Sequence, residues 1–515
     1  MGTSNEENFL GGRSEEGEIL NALLKEFRAD PEGYEINKKL GLFMTWVRKY
    51  QLHAEPHILK ALSFKIKDND TNRLLDALAR CHALKGNREA CVKVYETARE
   101  ICPEIRSFDY KLGCALFEAG RLKEASDVFR EAVDGCYQRA KENSSRKNGP
   151  IIHFLELSSV IRRFFGELAA KLDLYLKARE LGLVESEKAI LFAPDNEVSN
   201  PRLLDYWKQY ITVETDPACI EEFGGNAVFI DYYTLPGGLT LHRDLAHRAV
   251  QNMWEEEGRA PLLTLKDSDR ERGWARLKSS GVPEGAWLAS LHVREAGFFD
   301  EDVEWSVNRY RNAKIETYLP AIEEIVSRGG WVIRLGDPSM TTLPEMDNVI
   351  DYANSDLKSD WMDIFLIAES RFYLGMASGP SSAAVAFGVP AVGTNWFHLG
   401  PWPYCKHDIF IHKLLKSTKD GRILSIAESL KPPMFGALEP LFLKAQGVEP
   451  VDNTGEEIKE AVVEMLDRLD GKKTYSGADE RRQAAYKKQA DPYGIPIASR
   501  LCGAFLERHP ELIGA

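Results

Sequence analysis

The sequence predicts an all-α segment followed by two α/β units in which helices wrap parallel sheets. Three observations predict it. From about Leu20 to Asp134, apolar residues recur at three- and four-residue spacing with few strand-like runs. From Ile151, and again from Trp287, short apolar runs alternate with helical stretches. Where the later runs end, polar and charged residues collect, on the edge where open α/β sheets bind ligands.

Bulk properties narrow the classes. A chain of 515 residues exceeds one typical core, so two or three domains are expected. A formal net charge of −13 argues against a broad nucleic-acid face, since phosphate backbones require clustered cations in excess. The first eighteen residues are acidic where a signal peptide needs a basic start, and no run approaches the ~18 apolar residues of a membrane span. Eight cysteines without a CxxC pair read as reduced thiols. The expectation is a cytoplasmic protein without a membrane span, soluble or peripheral to a membrane.

Residues 1–19 read as a flexible N-terminus and 20–147 as the all-α domain. Within it, a shift of 34 residues lays Leu78 on Leu112, Ala79 on Gly113, Gly86 on Gly120, Cys91 on Ala125, Tyr95 on Phe129 and Ala98 on Ala132. Small residues let paired helices approach and the aromatic fills the gap between pairs. These positions resemble the tetratricopeptide consensus, which implies a concave face for a partner or acceptor. The polar stretch Lys141 to Pro150, closed by Gly-Pro, reads as a linker with a boundary near 148.

The first α/β unit, 148–285, opens with a strand at Ile151 to Leu155 and a helix from Phe164 to Leu181. Further strands are expected at Lys188 to Phe192 and Val228 to Tyr232, while Leu203 to Pro261 is too irregular to place. In the second unit, 286–433, strands are expected at Trp287 to Val293, Trp331 to Leu335 and Val349 to Tyr352, with a helix at Ile315 to Ser327. Trp361 to Asn395 then reads as helix, strand, small-residue loop and helix. Residues 434–515 end in helices, one of them, Ile458 to Leu469, preceded by a capping box from Thr454 to Glu457.

The loop Ser378-Gly-Pro-Ser-Ser382 puts backbone N–H groups and hydroxyls at a helix N-terminus, where an anion is favoured. The serines could equally serve only as caps. Candidate ligand-binding residues at this edge, which the resemblance given below would make donor-binding, are Arg334, Gly336, Asp337, Asp351, Asp363, Ser378, Gly379, Ser381 and Ser382. Candidate catalytic residues are Arg294, His292 and Glu295, with Asp300 as a further candidate base. A guanidinium grips phosphate oxygens through parallel N–H bonds, and His292, two residues before Arg294, shares its face of the strand. No GxxxxGK[ST], GxGxxG after the first strand, GxSxG or HExxH motif is present, which disfavours P-loop, dehydrogenase, hydrolase-elbow and zincin chemistry.

Leu291-His-Val-Arg-Glu-Ala-Gly297, Arg311-Asn-Ala-Lys-Ile-Glu-Thr-Tyr318, Gly329-Gly-Trp-Val-Ile-Arg-Leu-Gly-Asp-Pro338, Ile350-Asp-Tyr352, Ser359-Asp-Trp-Met-Asp363 and Phe387-Gly-Val-Pro390 resemble a family of predicted bacterial glycosyltransferases associated with surface-polysaccharide genes. More distantly, His-x-Arg at a strand end is similar to the GT-B fucosyltransferases that use GDP-sugars. The resemblance implies a GT-B-like fold of two Rossmann-like domains, acceptor-side and donor-side, with C-terminal helices packing back on the first. It also implies transfer of a sugar from a nucleotide donor, GDP-sugar ahead of UDP-sugar, to a glycan or protein acceptor. Arg294 would hold the diphosphate, Ser381 and Ser382 would meet phosphates, and Asp363 would orient the loop or contact ribose.

Metal independence and no cofactor are expected, with the triplets Asp267-Ser-Asp269 and Asp300-Glu-Asp302 as the counter-argument. A nucleotide-sugar epimerase or phosphorylase of the same architecture, and a noncatalytic tetratricopeptide scaffold, are the alternatives. Oligomeric state is left open.

Overall fold

Helices form where apolar spacing follows the helical period: Glu15–Ala29, Tyr34–Trp46, Glu55–Ser63, Thr71–Leu84, Arg88–Ile101, Ser107–Glu118 and Leu122–Lys147. The computed structural model describes residues 15–147, 152–155, 160–184, 189–219, 227–229, 231–295, 309–397, 405–434, 439–491 and 494–514. Leu40, Ala54, Ile58 and Cys81 are fully enclosed in the core of the first helices. Gly86 and Gly120, the repeat-related pair, both take positive φ just past a helix end, at 76° and 80°, where glycine is the residue without a Cβ penalty.

Contacts divide the chain into two units. One holds the chain up to Val128 together with Glu439–Gly447, and the other holds the remainder. The sequence places the boundary near 148, at a linker whose residues 148–150 lie outside the described residues. The division instead falls inside the Leu122–Lys147 helix, because Phe129 packs on Tyr232 at 5.4 Å and Arg130 donates to Gly238 O. Nor is 434–515 one block: Glu439 pairs with Arg80 at 3.1 Å and Phe442 lies under Arg88, so that segment belongs with the first unit.

The second unit contains both α/β halves. In the first half β1 (Ile152–Phe154), β2 (Ala189–Phe192), β3 (Thr212–Glu214) and β4 (Ala227–Phe229) form a parallel sheet in the order β3-β2-β1-β4. The antiparallel pair β5 (Tyr232–Thr234) and β6 (Thr240–His242) then leads into the Arg243–Glu256 helix. In the second half, β7 (Trp287–His292), β8 (Gly330–Arg334), β9 (Val349–Ile350), β10 (Phe372–Gly375), β11 (Ala391–Trp396) and β12 (Ile409–His412) run parallel. After the antiparallel pair β13 (Leu414–Ser417) and β14 (Val448–Val451), β15 (Arg500–Leu501) completes a seven-stranded sheet ordered β15-β12-β11-β10-β7-β8-β9.

From Leu288 to His292 every residue of β7 is buried, as a parallel sheet covered on both faces requires. Strand order reverses direction between β7 and β10, and between β1 and β4, so each half has its crevice at strand carboxyl ends.

The C-terminal helices Gly455–Leu469 and Gly503–Arg508 pack on each other, and the first also packs on the Leu319–Ser327 helix and β12 of the second half. Toward the first half, Ile495 O accepts from Arg248 at 3.1 Å and Pro496 O from Asn252 at 2.8 Å, and Tyr486 of the Gly477–Gln489 helix lies within electrostatic reach of Arg248. Among the described residues no helix is long and apolar enough to cross a membrane.

Candidate functional site

Register places Gly375 of β10 beside His292 of β7, so the two strands end together. A Cβ at Gly375 would lie 2.2 Å from His292 O, which explains why the smallest residue stands there. Beyond β10 the chain enters the Gly379–Phe387 helix. Its N-cap is Ser378, and Ser381 Oγ both accepts from Ser378 N at 3.1 Å and donates to Ser378 O at 2.7 Å. Ser378 Oγ lies 3.0 Å from Tyr373 Oη. Those two hydroxyls are engaged at the cap, while the Ser382 hydroxyl makes no hydrogen bond among the described residues and Ser382 N donates to Ser378 O at 3.4 Å. The backbone N–H of Gly379, ahead of the first intrahelical bond, remains for a ligand.

A second helix begins at the same place. The Phe165–Glu180 helix follows β1 and its N-cap Phe164 has no side chain able to cap it. A Cβ on Gly166 would lie 2.8 Å from Gly379 Cα, so the two N-termini meet backbone to backbone. Their dipoles add at one spot. Both open into a cleft of about 1000 Å³ between the two sheets, lined from both halves.

Arg294, two residues past β7, lines this cleft beside Arg311. Arg311 is fixed by donating to Ala377 O at 2.9 Å, next to the Ser378 cap, and Arg294 O accepts from Ala313 N at 3.0 Å. Burial pushes the Arg294 guanidinium down to about 10, with the charge of Arg311 adding to the effect. Burial lowers Arg311 as well, opposed by Glu167. Both stay charged at neutral pH, and two neighbouring half-buried cations make the pocket strongly attractive to a dianion.

The cleft also gathers the expected residues His292, Glu295, Gly336, Asp337, Asp363, Ser378, Gly379, Ser381 and Ser382. Burial, with Arg294 and Arg334 nearby, holds His292 down to about 3, so its imidazole is neutral and too weak a base for proton abstraction. Its Nδ1 has no hydrogen-bond partner among the described residues. Glu295 accepts from Thr341 N at 2.6 Å and lies 3.7 Å from Arg334, tying the end of β7 to the loop after β8. Asp337 closes the turn of that loop by accepting from Ser339 N at 2.9 Å. At Gly336, an added Cβ would meet Met340 Sδ at 2.2 Å. Asp363 holds Lys358 through both oxygens, at 2.6 and 2.8 Å, and burial raises its pKa.

Arg334 and Asp351 do not line the cleft. Arg334 is the last residue inside β8 rather than beyond it, is fully buried, and pairs with Asp351 at 3.1 Å. Asp351 also accepts from Leu343 N and Asn354. This pair braces the β8–β9 edge, in place of the donor contact expected of it. Of the acidic triplets, Asp267 and Asp269 form the first turn of a helix, with Asp269 accepting from Tyr206 at 2.6 Å. Asp300 and Asp302 lie outside the described residues.

Sequence reasoning missed Arg311 as a site residue, together with Glu167, Lys171, Arg243, Asp244 and His247 from the first half. Arg243 pairs with Asp231 at 3.2 Å and donates to Leu155 O, while Lys171 contacts Asp244 closely and lies 3.7 Å from Glu167. Arg311 opens the run Arg311 to Tyr318, whose resemblance to the glycosyltransferase family was its only signal. The first-half residues lie on helices whose cleft-facing ends only the sheet topology reveals.

No protein-family model matches the chain, and no curated protein matches it. Among solved structures, the glycosyl transferase family 9 protein of Veillonella parvula is 14% identical, with 65% of this chain and 94% of that chain covered, at a TM-score of 0.29. The dodecameric iron-containing heptosyltransferase TibC, in complex with ADP-D-beta-D-heptose, is 13% identical over 62% of this chain and 76% of its own, at 0.32. A mutant of Thermobaculum terrenum O-GlcNAc transferase is 12% identical over 74% of this chain and 58% of its own, at 0.25. All three are glycosyltransferases, and TM-scores this low carry neither fold nor chemistry over to this chain.

Proposed function

We propose that the cleft binds a nucleoside-diphosphate sugar and transfers the sugar to a glycan or protein acceptor. The observation that carries this reading is the pairing of Arg294 and Arg311 beside two converging helix N-termini. As the bond from the anomeric carbon to phosphate breaks, negative charge grows on the departing diphosphate. Fixed guanidinium groups and backbone N–H donors stabilise that charge with no reorganisation at the moment of reaction. Gly379 N and Ser382 would meet the phosphates, Arg294 and Arg311 would straddle them, and the neutral His292 would accept or donate a hydrogen bond to the sugar.

The enzyme is proposed to be GT-B-like, metal-independent and cytoplasmic, with a GDP-sugar as the favoured donor and the tetratricopeptide-like helices holding the acceptor. Calorimetric titration with GDP and UDP, followed by mass spectrometry of GDP- and UDP-sugar turnover, tests it. Arg294→Ala is expected to lower transfer by roughly two orders of magnitude or more. Near-wild-type turnover in that variant, or no diphosphate binding by the wild type, would overturn the reading.

A further inference from the structure

Sugar transfer also needs a group to take the proton from the acceptor hydroxyl, and five described carboxylates line the cleft: Glu167, Asp244, Glu295, Asp337 and Asp363. Four are already engaged. Glu295 accepts from Thr341 N, Asp337 from Ser339 N, Asp363 from Lys358 through both oxygens, and Asp244 from Lys171 in a close ion pair. In each case a structural partner already fixes the carboxylate's orientation.

Glu167 differs from all of them. It makes no hydrogen bond among the described residues, and Lys171 Nζ, one turn along its own helix, lies 3.7 Å away. Its side chain is 39% exposed, enough to reach a bound hydroxyl. It stands in the first turn of the Phe165–Glu180 helix, immediately after the glycine that touches Gly379, and Arg311 senses its charge from the second half. It thus faces the proposed leaving-group site from the opposite sheet. Charged groups that share the cleft with it include Arg163, Lys171, Arg294 and Arg311, and Arg243 and Asp244 on the Arg243–Glu256 helix. His247, on that same helix, is kept neutral by burial.

We infer that Glu167 is the catalytic base of the cleft, taking the proton of an acceptor hydroxyl as its oxygen attacks the anomeric carbon. This rests on the transfer reading above. The O–H proton passes to the Glu167 carboxylate and the oxygen's electron pair forms the new glycosidic bond. The bond from the anomeric carbon to phosphate breaks, and its electron pair leaves with the nucleoside diphosphate towards Arg294 and Arg311. The proton on Glu167 then returns to water.

The test uses the full chain with GDP- and UDP-sugars, water serving as acceptor, and reads nucleoside diphosphate release against pH. Glu167→Gln is expected to lower kcat roughly 100-fold or more while leaving affinity for GDP or UDP within about threefold. The acid limb of the wild-type profile should vanish with it. Sodium azide, a nucleophile with no proton to lose, should restore turnover and give a glycosyl azide, and Glu167→Asp should retain more activity than Gln. A Gln variant that keeps both its rate and its acid limb overturns the inference while the transfer reading survives. Absence of diphosphate binding or release in the wild type overturns both.

Discussion

Arg294 and Arg334 carry the same charge at the ends of neighbouring strands, yet their surroundings give them opposite roles. Arg334 is sealed inside the sheet against Asp351, where removing one partner leaves the other charge without compensation. Arg334→Ala is therefore expected to cost about 3–5 kcal/mol in urea unfolding. Arg311→Ala should leave the unfolding midpoint nearly unchanged and weaken GDP or UDP binding at least tenfold, since charge-assisted bonds to phosphate are among the stronger polar contacts. Equal destabilisation by the two variants would contradict this division of labour. The sequence made the residue types legible, because arginines, glycines and serines accumulate beyond strand ends. It did not reveal direction: one residue of register decides whether an arginine at a strand end enters the cleft or the layer beneath it.

At the scale of elements, the Gly166–Gly379 contact decides how closely two helix N-termini approach the same ligand. An alanine at 166 would set its Cβ 2.8 Å from Gly379 Cα, a backbone atom that cannot rotate away. Gly166→Ala should cost about 1–3 kcal/mol and lower diphosphate affinity by separating the donors; unaltered affinity would show that only one helix end serves the ligand. A second contact, between the Gly455–Leu469 helix and the C-cap of the Gly503–Arg508 helix, is set by pH. His509 Nε2 lies 2.6 Å from Glu457, which also accepts from Thr454 N and Oγ1 in the capping box. The Glu457 bond raises the His509 pKa, so its contribution to stability is complete below the unfolded value of 6.5 and is lost as pH rises through the folded value. The hydrogen bonds to His509 and Thr454 lower that of Glu457 against an opposing burial effect, so its contribution is present above 4.5 and is lost as pH falls through the folded value. Urea unfolding of His509→Ala should differ most from wild type between those two values and converge with it at alkaline pH. These elements were unequally legible. The run Trp361 to Asn395 folds as helix, strand, cap and helix, at Asp360–Ala368, Phe372–Gly375 and Gly379–Phe387, because apolar period and Gly-Pro punctuation agree there. Leu203 to Pro261 resisted because its strands are three residues long, too short to display a period of two.

At the scale of the whole molecule, the cleft draws its lining from both sheets of one compact unit, so a ligand bound there must report on the stability of both halves together. Binding to the native state alone stabilises by about 2.7 kcal/mol at a hundredfold excess over Kd. For a unit of this size that corresponds to a rise of roughly 3 °C in Tm. GDP or UDP should produce this shift in a thermal scan, whereas guanosine or uridine at equal concentration should not. The reason is chemical: on the proposed reading the two arginines and the two helix ends would meet phosphate oxygens, which a nucleoside lacks. Arg294→Ala and Arg311→Ala should each reduce the shift while the unliganded midpoint stays in place, because burial destabilises both guanidinium groups and the charge of Arg311 adds to that at Arg294. A nucleoside that shifts Tm as far as its diphosphate would place the binding energy in the base, and would remove the charge argument on which the donor assignment stands.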